Sequence, residues 1–202
     1  LLEKELGHTV IYLHYNTGLH VSENGRQLSQ LLNEIEINTD ITINFLTHSM
    51  GGLVVRSACF YAKQLKSTWS KSVEKIIFLG TPHHGAILAK GGHMLDVFLE
   101  ISPYSAPFAK ITKVRSHGLT DLRHGYVIDE DWQEHDERKI VPLPANVNCY
   151  AIATTSSEKE SSKIANEIVG DGLVSINSGL GIHKDKNLDL NIPKEHQWVG
   201  RN

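Results

Sequence analysis

Several features that define whole classes of protein are scarce or missing in this 202-residue sequence. Cysteine occurs only at Cys59 and Cys149, without a Cys-X-X-Cys pair, which argues against a disulfide framework and against a thiolate zinc site. No apolar run approaches the roughly 18 residues of a membrane span, and no basic segment leads into an apolar one, so neither a transmembrane helix nor a signal peptide is predicted. The two free thiols predict a cytoplasmic location.

The sequence also lacks a large excess of either positive or negative charge. Lys and Arg total 20 against 23 Asp and Glu, which gives a net charge of −3 at pH 7 and leaves no basic patch for nucleic acid. The hydrophobic content of 40% is that of a globular protein, and the length suits one domain. We therefore predict a single domain over residues 1–202, with a loosely patterned insertion at about residues 86–145. The insertion could form a lid, although a solvated excursion fits its acidic stretch, DEDWQEHDERK, at least as well.

Short apolar runs alternate with helical patterns along the chain. Strands are predicted at 8–15, 41–46, 71–79 and 148–154, and helices from Ser22 to about residue 38 and over 53–66. Strands separated by helical stretches of this length indicate βαβ units. The predicted fold class is α/β, with a doubly wound and mostly parallel sheet.

The most informative segment is ITINFLTHSMGGLVVRSA, at residues 41–58. It predicts a strand, a serine in a tight turn, and an apolar helix, which together form a nucleophile elbow. Such a turn presents the Ser49 hydroxyl at the carboxyl end of the strand, with the Met50 backbone N–H as an oxyanion donor. The pattern Gly-X-Ser-X-Gly is met except that Thr47 stands in the first position, and Gly51 is expected to leave room for the strand-to-helix crossing. The alternative is a serine that only caps the helix.

Three motifs, THSMGG, FLGTPHHGA and VGDGLVSINSGLG, together resemble the lipase and esterase branch of the α/β-hydrolase superfamily. More narrowly, the sequence resembles bacterial relatives of the GPI-inositol-deacylase-like lipases, and the likeness extends to YNTGLHVSENGR and to the stretch from GLTDLRHG to DEDW. This resemblance implies an α/β-hydrolase fold and the hydrolysis of carboxylic or lipid acyl esters without a cofactor. Thioesterase and amidase chemistry would use the same residues, and fold analogy does not separate them.

The resemblance also implies a catalytic triad, in the chain order Ser, Asp, His. Ser49 is then the nucleophile and Asp171, in GDGLV, is the acid that orients a histidine. Only His183 and His196 follow Asp171, and His196 is the first candidate for the base. The tail IPKEHQWVG resembles the last strand of the family's sheet, which would put His196 at the wrong end of that sheet and the true base beyond Asn202.

The amino end shows a similar deficit. The family's His-Gly-rich loop, which supplies the second oxyanion donor, has no counterpart before Val10, so we interpret the sequence as an interior piece of a larger hydrolase domain. Two functions therefore remain open: a serine hydrolase acting on a small-molecule ester or lipid, and a non-catalytic hydrolase-like module that binds an apolar ligand or a protein partner. A histidine within hydrogen-bond reach of Ser49 is required only by the first.

Twelve histidines raise the question of a metal site. The sequence has no His-Glu-X-X-His pattern, so no metal is predicted. His83 and His84 follow a predicted strand and are assigned with His48 to the pocket lining, although loop histidines without a ligand role fit as well. The His48 side chain is expected to point away from Ser49, because neighbouring side chains alternate on a strand.

Overall fold

The computed structural model describes residues 2–35, 41–86, 116–133, 140–155 and 174–201. Within these ranges four strands form one sheet in the order β1-β2-β3-β4, and every neighbouring pair is parallel. The strands are β1 Ile43–His48, β2 Val73–Leu79, β3 Asn148–Thr155 and β4 Gln197–Arg201. The predicted parallel α/β architecture is confirmed.

Helices flank this sheet. They are α1 Leu2–Leu6, α2 Val21–Glu34, α3 Met50–Gln64, α4 His117–His124, α5 Asp129–Gln133 and α6 Ile176–Gly179, with short 3-10 turns at Trp69–Ser72 and Lys194–His196. Helix α3 starts three residues before the predicted helix, directly after Ser49, because the two glycines that follow Met50 take helical conformation. Helices α2 and α3 pack tightly, since a Cβ on Gly25 would lie 2.2 Å from the Ser57 hydroxyl oxygen.

The strand predicted at residues 8–15 is wrong. Residues 7–16 belong to no helix or strand. The β-branched and aromatic run suggested a strand, but no described strand lies beside it to complete a ladder of backbone hydrogen bonds. Ile11 and Tyr12 are consequently 80% and 83% exposed.

The main core lies between one face of the sheet and helices α2 and α3. Alternating residues of the strands point into it, among them Val73, Ile76, Phe78 and Cys149, and Leu53, Val54 and Ala58 of α3 meet them. A smaller cluster continues along β3, where Ala151 and Ala153 pack against Leu180, Leu190 and Ile192. The main core thus includes residues of both β1 and α3, the two elements on either side of Ser49.

Both cysteines lie in the main core, and we expect neither to react in the folded protein. Burial raises the pKa of Cys59 to about 12, with a further increase from Cys149, and burial raises the pKa of Cys149 to about 11. The thiolate is the reactive form, so modification by a chromogenic disulfide reagent at about pH 8 should be roughly 100-fold slower than in denaturant. One thiol that reacts rapidly without denaturant would contradict this packing.

Residues 116–133, which fall within the predicted insertion, pack against α2. Asp121 of α4 is fully buried, accepts a 2.7 Å hydrogen bond from the Val21 backbone N–H, and lies 3.0 Å from His20 Nδ1. The His20 ring stacks on Trp132 at 4.0 Å and contacts the His117 ring at 4.3 Å. The acidic stretch begins as helix α5, with Asp131 only 4% exposed, while residues 134–139 lie outside the described residues.

Replacing Asp121 with alanine should destabilise the fold by about 2–4 kcal/mol. The substitution leaves the Val21 N–H and His20 Nδ1 without their buried acceptor. Urea unfolding measures the loss, and alanine at the exposed Asp185 is the matched control, expected within about 0.5 kcal/mol of wild type. Equal stabilities for the two variants would show that Asp121 does not anchor α4.

Candidate active site

Ser49 occupies the sharp turn between β1 and α3. Its backbone has φ 51° and ψ −123°, a left-handed value of φ that non-glycine residues rarely adopt. The turn is fixed from both sides, because the Ser49 N–H donates to the Leu79 carbonyl oxygen at 2.9 Å and the Gly52 N–H donates to the Ser49 carbonyl oxygen at 3.1 Å. Such strain, of order 1–3 kcal/mol, persists only where the surrounding structure enforces it and is concentrated at functional sites.

The Ser49 hydroxyl is not used to cap the helix. Ser49 has the N-cap position of α3, but its side chain makes no capping hydrogen bond. By contrast, Ser116 and Ser175 accept such bonds from Leu119 and Ser178 at the starts of α4 and α6. The interpretation of Ser49 as a plain helix cap is therefore wrong, and Ser49 is a partly exposed residue.

The strand-to-helix crossing depends on Gly52 and not on Gly51, which corrects the sequence-based expectation. A Cβ on Gly52 would lie 2.1 Å from Thr81 Oγ1 and 2.9 Å from the Phe78 ring, closer than any side chain can approach. A Cβ on Gly51 would meet only the Tyr15 hydroxyl at 3.8 Å and Thr47 Cβ at 3.9 Å, which are ordinary contacts. The helix thus approaches β2 through its third residue.

Thr47 fits in the position where glycine is usual. Its side chain is 7% exposed, and its hydroxyl donates a 3.0 Å hydrogen bond to the Ile77 carbonyl oxygen of β2. The buried polar atom is therefore satisfied by the neighbouring strand. A β-branched residue at this point of the strand does not prevent the turn at Ser49.

Met50, the predicted oxyanion donor, is the first residue of α3. The first N–H groups of a helix have no acceptor within the helix, and the helix dipole favours negative charge beside them. The Met50 side chain is 2% exposed and anchors the start of the helix in the main core. The arrangement places a backbone donor directly after the serine.

The predicted pocket histidines occupy three different environments. His48 is exposed on β1, next to the buried Thr47. His83 is fully buried beneath the carboxyl edge of the sheet, edge-on to Phe78 at 4.7 Å, with its Nδ1 3.3 Å from Arg56 Nη1. His84 is half-buried, lines a small cavity, and lies with its ring 4.9 Å from that of His183.

His196 is not brought to Ser49. It lies in the 3-10 turn before β4, where its Nδ1 is 3.2 Å from the Cys149 carbonyl oxygen and its ring is 4.2 Å from Tyr150. These partners are at the amino end of β3, whereas Ser49 follows the carboxyl end of β1. The two strands β1 and β4 are also three positions apart, which at about 4.8 Å per strand is roughly 14 Å across the sheet.

The remaining predicted site residue, Asp171, lies outside the described residues. Among the residues that the structure does describe, no three His, Cys, Asp or Glu side chains are grouped so that they could hold a metal ion. None of the described helices is both long and apolar enough to cross a bilayer.

Sequence reasoning missed one residue of this region, Tyr15. Its hydroxyl oxygen lies 3.8 Å from the position that a Cβ on Gly51 would take. Tyr15 begins the stretch YNTGLHVSENGR, which resembles the family, but the local pattern predicts a strand that ends at this residue. Because that strand does not form, its side chain is free to pack against the main core at the elbow.

A parallel sheet with a strained serine between a strand and the helix that follows defines an α/β-hydrolase fold with a nucleophile elbow. Residues 15–177 match the PGAP1-like alpha/beta domain, and the chain belongs to that family. The predicted α/β-hydrolase fold is confirmed. No match was found among curated proteins.

Among solved structures, a bacterial lipase has a similar fold. The mature form of lipase BlEst2 from Bacillus licheniformis is 20% identical with a TM-score of 0.51, and the match covers 95% of this chain and 69% of that one. The propeptide form has a TM-score of 0.50 at 20% identity, with 89% and 39% covered. A metagenomic carboxyl esterase has a TM-score of 0.47 at 19% identity, with 91% and 50% covered. The chain thus spans from 39% to 69% of the length of these proteins.

Proposed function

We propose that this chain carries the nucleophile and the acid of a serine hydrolase that cleaves carboxylic or lipid acyl esters. The observation that carries the proposal is the left-handed backbone of Ser49, combined with a hydroxyl that makes no capping bond at the start of α3. This combination costs folding free energy and is explained by a reacting hydroxyl. Membership of the family supports the same reaction class.

In the proposed reaction, Ser49 Oγ attacks the acyl carbonyl carbon while a histidine accepts the hydroxyl proton. The negative charge that develops on the carbonyl oxygen is stabilised by the Met50 N–H at the helix terminus. The alcohol leaves with the proton from the histidine, and Asp171 stabilises the imidazolium in between. Water then attacks the acyl-enzyme, releases the acid, and restores the serine.

The base in this proposal is a histidine other than His196, since His196 is held at the opposite end of the sheet by Cys149 and Tyr150. Strand β4 runs parallel to the other strands, so its carboxyl end lies at the same edge as Ser49. A histidine that follows β4 would approach the serine from that edge. This placement agrees with the chain order Ser, Asp, His.

A fluorophosphonate probe tests the nucleophile directly. In a protein that includes the proposed histidine after β4, we expect one probe molecule per chain by intact mass, mapped to Ser49 by peptide analysis, and hydrolysis of short-chain p-nitrophenyl esters. Ser49→Ala is the control and should remain unlabelled. If the folded protein is unlabelled, or is labelled at a different serine, the hydrolase proposal fails.

Asp171→Asn should lower ester hydrolysis by about 10³–10⁴-fold. Asparagine keeps the size of the side chain but cannot stabilise the imidazolium charge. The ratio kcat/KM measures the loss, and the exposed Asp185→Asn is the control, expected to retain wild-type activity. Full activity of the Asp171 variant would assign the acid to another residue.

One observation favours the second candidate, a hydrolase-like module that binds an apolar ligand without turnover. The histidine first assigned as the base, His196, is remote from Ser49. In that case the probe would leave the folded chain unlabelled, while a fluorescent fatty acid would still bind. The labelling experiment therefore separates the two candidates.

A further inference from the structure

Ser178, in the short helix α6, binds the loop that follows β2. Its hydroxyl accepts a 3.0 Å hydrogen bond from the His84 N–H and donates a 2.8 Å hydrogen bond to the Gly85 carbonyl oxygen. Its carbonyl oxygen accepts a 3.2 Å hydrogen bond from the His83 N–H. Ser178 is 5% exposed, so these bonds are shielded from water. One residue of α6 thus holds three consecutive residues of the loop.

The same loop begins at the nucleophile elbow. The Leu79 carbonyl oxygen, at the end of β2, accepts the 2.9 Å hydrogen bond from the Ser49 N–H. Two residues later, Thr81 Oγ1 lies only 2.1 Å from the position that a Cβ on Gly52 would take, so the loop also packs against α3. The loop therefore connects the turn at Ser49 to α6 within a few residues of chain.

Helix α6 is also fixed against the sheet. A Cβ on Gly179 would lie 3.1 Å from Ala153 Cβ of β3, and Leu180 is buried with Ala153 in the smaller core cluster. At the start of the helix, Ser175 accepts a 3.2 Å hydrogen bond from the Ser178 N–H. The contacts with the loop and with β3 together determine the position of α6 at the carboxyl edge of the sheet.

Asp171, the acid of the proposed triad, is joined to α6 by a short piece of chain. Asp171 itself lies outside the described residues, and it precedes Val174, the next described residue, by three positions. Three residues of fully extended chain span at most about 11 Å. The position of α6 therefore limits where the carboxylate can lie.

We propose that Ser178 is a positioning residue, which fixes the segment that carries Asp171 relative to the loop beside Ser49 and so aligns the acid with the histidine base. This inference rests on the proposed function of Ser49 and Asp171. The Ser178 hydroxyl is already bonded to His84 and Gly85, so its role is to hold these groups and not to contact the substrate. A displacement of about 1 Å can cost about 10²-fold in rate.

The test compares Ser178→Ala with Ser175→Ala in a protein that includes the proposed histidine after β4. Both variants remove a serine hydroxyl from α6, but the Ser175 hydroxyl bonds only to the Ser178 N–H and not to the loop. We expect Ser178→Ala to lower kcat for a p-nitrophenyl ester by about 10–100-fold, with KM within about twofold of wild type. Ser175→Ala should keep kcat within about threefold of wild type.

A double variant decides whether Ser178 acts through Asp171. If it does, the variant with both Ser178→Ala and Asp171→Asn should be no slower than Asp171→Asn alone. The acidic limb of the pH profile of kcat/KM should also move to lower pH in Ser178→Ala, because a displaced carboxylate stabilises the imidazolium less. A serine that only stabilises the fold would lower both backgrounds by the same factor and leave this limb in place.

The outcomes separate this inference from the proposal on which it rests. If the wild-type protein neither hydrolyses esters nor labels at Ser49, the proposed function fails and the role of Ser178 fails with it. If Ser49 labels but Ser178→Ala keeps the wild-type kcat, or lowers the rate equally in both backgrounds, the positioning role alone is overturned. If Ser178→Ala does not fold, Ser178→Cys, whose thiol forms weaker hydrogen bonds, is measured in the same two backgrounds and judged by the same results.

Discussion

Replacing Ser49 with alanine is expected to lower ester hydrolysis by at least about 10³-fold and to leave the free energy of unfolding within about 1 kcal/mol of wild type. The loss of activity follows because the hydroxyl oxygen is the atom that bonds to the acyl carbon. The small effect on stability follows because the hydroxyl makes no capping bond. Initial rates with p-nitrophenyl esters and urea unfolding measure the two quantities.

A second variant, Ser49→Gly, tests whether the backbone at position 49 is strained. Glycine adopts a positive φ without the steric cost that alanine shares with serine at φ 51°. The glycine variant should therefore be equally inactive but about 1 kcal/mol more stable than the alanine variant. If glycine is not the more stable of the two, the turn is not strained. Hydrolysis that survives in both variants would place the nucleophile elsewhere.

Gly52→Ala should destabilise the protein by about 3 kcal/mol, the upper range for overpacking a core. The added Cβ would overlap the Thr81 side chain at 2.1 Å and the Phe78 ring at 2.9 Å, and both residues are themselves fully buried. Relief would require α3 to move away from β2, which would also displace Ser49. Both the midpoint of urea unfolding and the rate of ester hydrolysis should fall.

Gly51→Ala is the matched control for this substitution. Its Cβ would make contacts of 3.8 Å and 3.9 Å, and alanine favours helix by up to about 1 kcal/mol over glycine. The stability of this variant should equal or exceed that of wild type. A double variant of Gly52→Ala with Thr81→Ala should recover part of the loss, because the two side chains compete for one space. Equal effects at the two glycines would refute the assignment of the crossing to Gly52.

Local sequence patterns predicted most strands of the sheet correctly. The strands are apolar, and the elements that pack against them are apolar as well. The run Ile76–Leu79 and the alternation in β1 each bury one face against α2 and α3, so burial and local propensity agree. Residues 8–15 have the same composition but no partner strand among the described residues. A strand requires backbone hydrogen bonds to a neighbouring strand, and a local sequence pattern does not show whether that neighbour is present.

The site was predictable only in part for a related reason. The strand, serine and helix of the elbow are adjacent in sequence, so the pattern around Ser49 was sufficient to place them. Which glycine meets β2 depends on Thr81 and Phe78, about 30 residues away along the chain. The position of His196 likewise depends on β3, through contacts with Cys149 and Tyr150 that no spacing rule contains.

The hydrogen bond from Thr47 to the Ile77 carbonyl oxygen has a consequence for how relatives of this protein are recognised. A search that demands glycine two residues before the serine would discard every homologue built in this way. A better criterion for such an elbow is its backbone conformation. The elbow has a residue with positive φ between a parallel strand and a helix. It also has a small residue three positions later, where the helix crosses the next strand. Under that rule the first glycine becomes optional, and threonine is one of its accepted replacements.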